Sequence, residues 1–175
     1  MSLKDKVVVI TGAGSGMGRA YAKVYAAAGA RLALNDFDAA SLAETVALHG
    51  GKDTLSAAFD VSDREAMFGF AEDVMRAFGR VDIVINNAGI AGGNKPVWEL
   101  SVADMERTLR INFYGVVHGT QAFLPHMLAA VSGQLVNVSS IFGLVGAPFS
   151  GDYCASKFAV RGYTEALMAE LQDTG

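Results

Sequence analysis

The sequence predicts an α/β fold, a doubly wound parallel sheet with helices on both faces. Three observations carry that expectation. Strand and helix signals alternate along the chain, and such alternation argues for right-handed βαβ crossovers within one sheet. The composition is 51% hydrophobic, not counting its 20 glycines, and only 18% charged, a balance that suits strands buried on both faces. A glycine-rich turn follows the first β-branched run directly, at the point where a strand must hand over to a helix.

The elements follow in order. Residues 7–10 form a β-branched strand, and a helix over 16–28 stops at Gly29, a residue suited to the left-handed position that ends a helix. A second strand covers 31–35, and Asp38 can cap a helix that runs to Leu48. A weak third strand covers 54–59. Ser62 and Glu65 read as a capping box for a helix that ends near Phe78. A fourth strand covers 81–86. Ser101 opens a long helix with Met105, Leu109, Phe113 and Val117 on one stripe, and Pro125 is expected to kink or re-cap it. A fifth strand covers 135–138, and a last helix covers 152–172. With no linker, low-complexity tract or repeat beyond the βα unit, residues 1–175 read as a single domain.

Composition excludes several function classes. The net charge of −4 offers no electrostatic footprint for nucleic acid or anionic lipid. No apolar run approaches the ~18 residues of a membrane span, and the first residues lack a signal-peptide pattern, so a cytoplasmic protein is expected. Cys154 is the single cysteine and reads as a packed free thiol rather than a nucleophile. His49, His118 and His126 lack metal-ligand spacing, so no metal site is expected. Ser140 lacks the elbow motif of hydrolases. Trp98, Phe142 and Phe149 read as core or pocket wall, and the charges between Asp63 and Arg76 as a solvated helix face.

The chemistry begins in the turn Thr11-Gly12-Ala13-Gly14-Ser15-Gly16-Met17-Gly18. Glycines let backbone approach a pyrophosphate, whose charge then meets unpaired N–H groups at a helix start. The spacing departs from G-x-G-x-x-G, because Met17 stands where the third glycine belongs; Gly12, Gly16 and Gly18 instead give G-x-x-x-G-x-G. Asp36 ends the second strand, 20 residues after Gly16. A carboxylate there accepts from both adenosine ribose hydroxyls and repels a 2′-phosphate. Ser15 and Phe37 add no compensating cation. The expected cofactor is therefore NAD. Tyr153 and Lys157 stand four apart near the start of the last helix and share one face. A phenol ordinarily titrates near about 10, and a neighbouring ammonium favours its ionised form. Ser139 and Ser140 leave the fifth strand at the same edge, where a hydroxyl could hold a substrate oxygen.

With these motifs together, the chain resembles the short-chain dehydrogenase/reductase family along its whole length. The loop from Thr11 to Gly18 matches the family's cofactor loop, and Asp60-Val61 matches the pair that holds the adenine ring. Asn86-Asn87-Ala88-Gly89 matches the segment where Asn87 and the backbone after it line the cofactor groove. Asn112 lies where the family places its fourth catalytic residue, and Tyr153 with Lys157 matches the catalytic pair. Ser140, thirteen residues before Tyr153, has the family's spacing and is preferred to Ser139.

The resemblance implies a Rossmann-type sheet of strand order 3-2-1-4-5 and hydride transfer between NAD(H) and an alcohol or ketone. Tyr153 would serve as acid/base and, with Lys157, contact the cofactor; Ser140 would orient the substrate oxygen, and Lys157 would bond the nicotinamide ribose. Asn112 would hold a water that links Lys157 to solvent. It also implies a homodimer or homotetramer, built on the helices from Ser101 and Asp152. Family members continue with a sixth strand, a substrate-covering segment and a seventh strand, whereas this sequence stops at Thr174-Gly175. The expectation is NAD binding with weak or absent turnover, and the fifth strand as an exposed edge. The alternative is a nucleotide-binding module or subunit without turnover of its own.

Overall fold

The computed structural model describes residues 3–49, 51, 53–172 and 174. Its sheet has five strands in the order β3-β2-β1-β4-β5, all parallel. The strands are β1 (Val7–Thr11), β2 (Arg31–Asp36), β3 (Thr54–Ala58), β4 (Ile83–Asn86) and β5 (Gln134–Asn137). Every residue of β1 is buried, as a central strand between β2 and β4 requires. Alternation along it feeds two cores. Val7 and Val9 join Ala33 and Val84 against Met67, Phe70, Val74 and Phe123. Val8 and Ile10 join Leu32, Leu34 and Ile85 against Ala22 and Leu42.

These side chains come from helices α1 (Gly16–Ala27) and α2 (Ala39–Leu48) on one face, and α3 (Arg64–Phe78) and α5 (Gly115–Ala129) on the other. A short α4 (Val102–Leu109) precedes α5, and α6 (Gly151–Glu170) packs against α4. The chain winds from β1 out to β3, then returns to β4 on the other side of β1. Ligands in open α/β sheets bind at the carboxyl edge of such a switch point. β5 pairs with β4 alone, so its other side is an edge among the described residues. Among those residues, no helix is long and apolar enough to cross a membrane.

Three expectations need correction. Ser62 and Glu65 do not cap α3. Asp63 does, accepting from the Ala66 amide at 3.0 Å, and Ser62 lies in the turn before it, its amide donating to Asp60 Oδ1 at 2.8 Å. The helix from Ser101 is not continuous. Ser101 and Asp104 form a capping box, but a π turn, Arg110–Tyr114, separates α4 from α5. Pro125 lies inside α5 without ending it. Trp98 is 85% exposed and Phe149 54% exposed, so neither is core; both lie outside the packed helices, Trp98 in the 3-10 turn Val97–Glu99 and Phe149 just before α6. The stripe of Met105, Leu109, Phe113 and Val117 stays half-buried, while Thr108, Asn112, Val116 and Phe123 carry the buried face.

Candidate cofactor cleft and acid-base site

A cleft of about 500 Å³ opens at the carboxyl edge beside β1. Ten of the residues singled out from the sequence line it: Gly12, Ser15, Gly16, Met17, Asp36, Asp60, Val61, Asn87, Ala88 and Gly89. Gly18 lies behind the loop instead, and there a side chain has no room. A Cβ at Gly18 would stand 2.0 Å from the Gly12 carbonyl oxygen, and one at Gly12, whose φ is +66°, would stand 2.8 Å from Ala88 Cα. The backbones of the two turns are thereby brought into contact. Asn87 ties them, its Nδ2 donating to Thr11 O at 2.9 Å, while Thr11 Oγ1 accepts from the Asn87 and Ala88 amides.

The start of α1 fits an anion. Its cap, Ser15, makes no side-chain bond, and its first turn holds no acidic residue, so the amide groups that a helix start leaves unpaired stay available to the cleft. Opposite the loop, Asp36 is held from behind. Its Oδ2 accepts from the Gly14 amide at 2.7 Å and its Oδ1 from the Asp38 amide at 2.9 Å. Asp38 caps α2, as its position suggested. The nearby cation, Arg19, is spent elsewhere, on the Gly14 and Ser41 carbonyls, Thr45 and Glu44.

The acid-base candidates adjoin the Gly89 end of the cleft without lining it. A Cβ at Gly89 would stand 3.1 Å from Asn112 Oδ1 and 3.6 Å from Lys157 Nζ. Lys157 donates to the Val138 carbonyl at 2.8 Å, and its Nζ lies 5.7 Å from the centre of the Tyr153 ring. Burial holds its ammonium below the ordinary lysine value of 10.5. Phe142 packs edge-on against Tyr153, with ring centres 6.2 Å apart. Ser139 donates to the Lys157 carbonyl at 3.0 Å, which commits it to the α6 backbone. Ser140 accepts only from the Phe142 amide at 3.2 Å, and its hydroxyl proton has no partner among the described residues. That difference separates two adjacent serines on structural grounds.

Asn112 sits in the π turn, fully buried. Its side chain clamps both backbone groups of Ile90, at 2.7 and 2.9 Å, and donates to Ser156 Oγ at 3.1 Å. Both amide protons are thus in use. Sequence reasoning missed Arg107, Ile90 and Ile111 in the cleft wall; α4 spacing places Arg107 and Ile111 on one face, a signal that was present. It also missed Asp152. This fully buried carboxylate accepts from Gly93 N at 2.8 Å, Thr108 Oγ1 at 2.9 Å and Tyr153 N at 2.8 Å.

Lys157 gives a prediction with a sign. In the folded chain its charge is disfavoured, while the unfolded chain bears it freely. The native state therefore binds fewer protons between the lowered value and 10.5, and stability rises with pH through that window. Lys157→Met removes the burial penalty and is expected to melt higher than the parent at neutral pH. The difference should shrink as pH climbs toward 10.5. Thermal melts at stepped pH check this; a lower melting point for the variant at every pH is the contrary result.

The sequence model of the family described as short chain dehydrogenase matches residues 6–175. The chain is 49% identical over 173 residues to a putative oxidoreductase, SadH, of Mycobacterium tuberculosis, covering 97% of this chain and 62% of that protein. It is 38% identical over 170 residues to a 2-dehydro-3-deoxy-L-rhamnonate dehydrogenase (NAD(+)) of Sphingomonas sp., covering 97% and 68%. Among solved structures, a short chain dehydrogenase/reductase from Burkholderia phymatum in complex with NAD superposes with a TM-score of 0.95 at 39% identity, covering 100% of this chain and 63% of that one. An NAD+-bound xylitol dehydrogenase gives 0.94 at 34% identity, covering 98% and 66%. The chain thus spans 62% of the length of the first of these relatives.

Proposed function

We propose that this chain, which belongs to the short-chain dehydrogenase family, forms one dinucleotide-binding unit that transfers a hydride between NAD(H) and an alcohol or carbonyl substrate. One observation carries the reading: the cleft ends at Gly89, within a side chain's reach of Lys157. The glycine turn and the start of α1 take the pyrophosphate, Asp36 the adenosine ribose, and Asp60 with Val61 the adenine. Bound there, nicotinamide supplies the hydride acceptor or donor.

The chain's own residues handle the proton. Tyr153 takes it from the substrate hydroxyl in oxidation and returns it in reduction. Lys157 stabilises charge on the phenol oxygen and bonds the nicotinamide ribose. Ser140, with its free hydroxyl proton, donates to the substrate oxygen. Asn112 fixes Ile90 and, through Ser156, the first turns of α6. A homodimer through the helices from Ser101 and Asp152, that is α4 with α5 and α6, is part of the proposal, since such faces suit a self-complementary interface.

Calorimetric titration with NAD, followed by near-ultraviolet absorbance on adding alcohols or ketones, tests the reading. Binding with an absorbance change supports it. Binding without one favours a nucleotide-binding module, and no binding defeats both. Cofactor choice is a separate expectation. A 2′-phosphate set against Asp36 meets like charge, which costs several kcal/mol in a partly desolvated groove, and Arg19 is engaged. NAD should bind more tightly than NADP by tenfold or more, ~1.4 kcal/mol. Asp36→Ala should narrow the gap; tighter binding of NADP by the parent chain would refute the assignment.

A further inference from the structure

Resting on the cofactor reading above, we propose that Arg107 is a further anion-binding residue of the cleft, donating from its guanidinium to the phosphates of the bound dinucleotide. The cleft wall carries three charged side chains among the described residues: Asp36, Asp60 and Arg107. Two are carboxylates already held by backbone amides, Asp36 by Gly14 and Asp38, and Asp60 by Ser62. A pyrophosphate entering such a site meets like charge. The start of α1 offsets part of it, with roughly half a positive charge. Arg107 is the only full cation in the wall to add to that.

The side chain is available for the task. Arg107 is exposed and makes no side-chain hydrogen bond or ion pair with any described residue. Its acidic neighbour one turn back, Asp104, is taken by Lys95 and by the capping box with Ser101. Placement separates Arg107 from an ordinary solvated arginine. It lines the cleft in company with Ile111, four residues on, and Ile90. Arg110, on the same stretch and also exposed, lines nothing there. The backbone that carries Arg107 is fixed, since Thr108 next to it is buried and bonded to Asp152 at 2.9 Å. A guanidinium presents a planar fork that matches two phosphate oxygens at once.

The test uses calorimetry on the parent chain, Arg107→Gln and Arg110→Gln, with NAD at low and high salt and with adenosine, which lacks phosphate. Arg107→Gln should weaken NAD binding about tenfold, the loss of one charge-assisted contact, and leave adenosine unchanged. Where adenosine binds too weakly to titrate, the salt dependence decides: it should be shallower for Arg107→Gln than for the parent, because screening weakens an exposed contact. Arg110→Gln should match the parent. Unchanged NAD affinity in Arg107→Gln, an equal loss for adenosine, or an unaltered salt slope overturns the proposal. A parent chain that binds no NAD overturns the cofactor reading itself, and this inference with it.

Discussion

Tyr153→Phe is expected to remove the hydride transfer proposed for the chain while leaving NAD bound. The substitution deletes one atom, the phenol oxygen. The ring keeps its edge-on contact with Phe142 and its place beneath Lys157 Nζ. Its backbone amide still donates to Asp152. The cofactor cleft is lined by other residues, so its affinity has no cause to change. What disappears is the group proposed to exchange a proton with the substrate oxygen, and positioned acid/base groups contribute about 10²–10⁴-fold. A fall of that size in single-turnover rate, with NAD affinity within about twofold of the parent, is the expected pair of results. Turnover that survives the change would place the acid/base elsewhere. Loss of NAD binding would mean that Tyr153 supports the cleft rather than the chemistry.

Much of this arrangement was legible in the sequence, and the reason is local. The run of residues 7–10 followed by a glycine turn carries both a central strand and its ligand edge in a few positions. Each of the ten cleft residues read from motifs lies at a strand end, in the turn after it or at the start of the next helix, where backbone geometry leaves little freedom. Most of the failures share a cause as well: they depend on contacts between distant segments. Ser62 is the local exception, since Asp63 beside it takes the cap. Ser139 and Ser140 differ only because α6 returns to offer the Lys157 carbonyl to one of them. Asn112 was expected on one long helix and sits instead in the π turn, and its grip on Ile90 needs the loop after β4 to fold back on that turn. Trp98 shows the converse, an aromatic residue read as core or pocket wall that the tertiary structure leaves outside the core and the cleft. Asp152 read as no more than the first residue of the last helix.

Asp152→Ala is expected to be the most destabilising single change near the site. The carboxylate is fully buried and no described cation pairs with it. It joins three segments: the loop at Gly93, helix α4 through Thr108, and the start of α6 through the Tyr153 amide. Gly92 is packed so closely that a Cβ there would stand 2.6 Å from the carboxylate, and its φ of +87° suits glycine. Alanine leaves three donors without a partner, and each buried orphan costs roughly 1–3 kcal/mol. It also leaves a void, in a site that the neighbouring helices hold open. A loss of about 3–5 kcal/mol follows, comparable to breaking a buried charge network. At about 2–4 °C per kcal/mol for a chain of this size, the melting point should fall by on the order of 10 °C. Asp152→Asn keeps an acceptor but turns an amide toward backbone N–H groups, so an intermediate loss is expected. Because the glycine turn and Asp36 belong to separate elements, the folded fraction of either variant should still bind NAD. A melting point within about 2 °C of the parent for Asp152→Ala would show that the three donors find water instead, and that the helix start bearing Tyr153 is held by something other than this carboxylate.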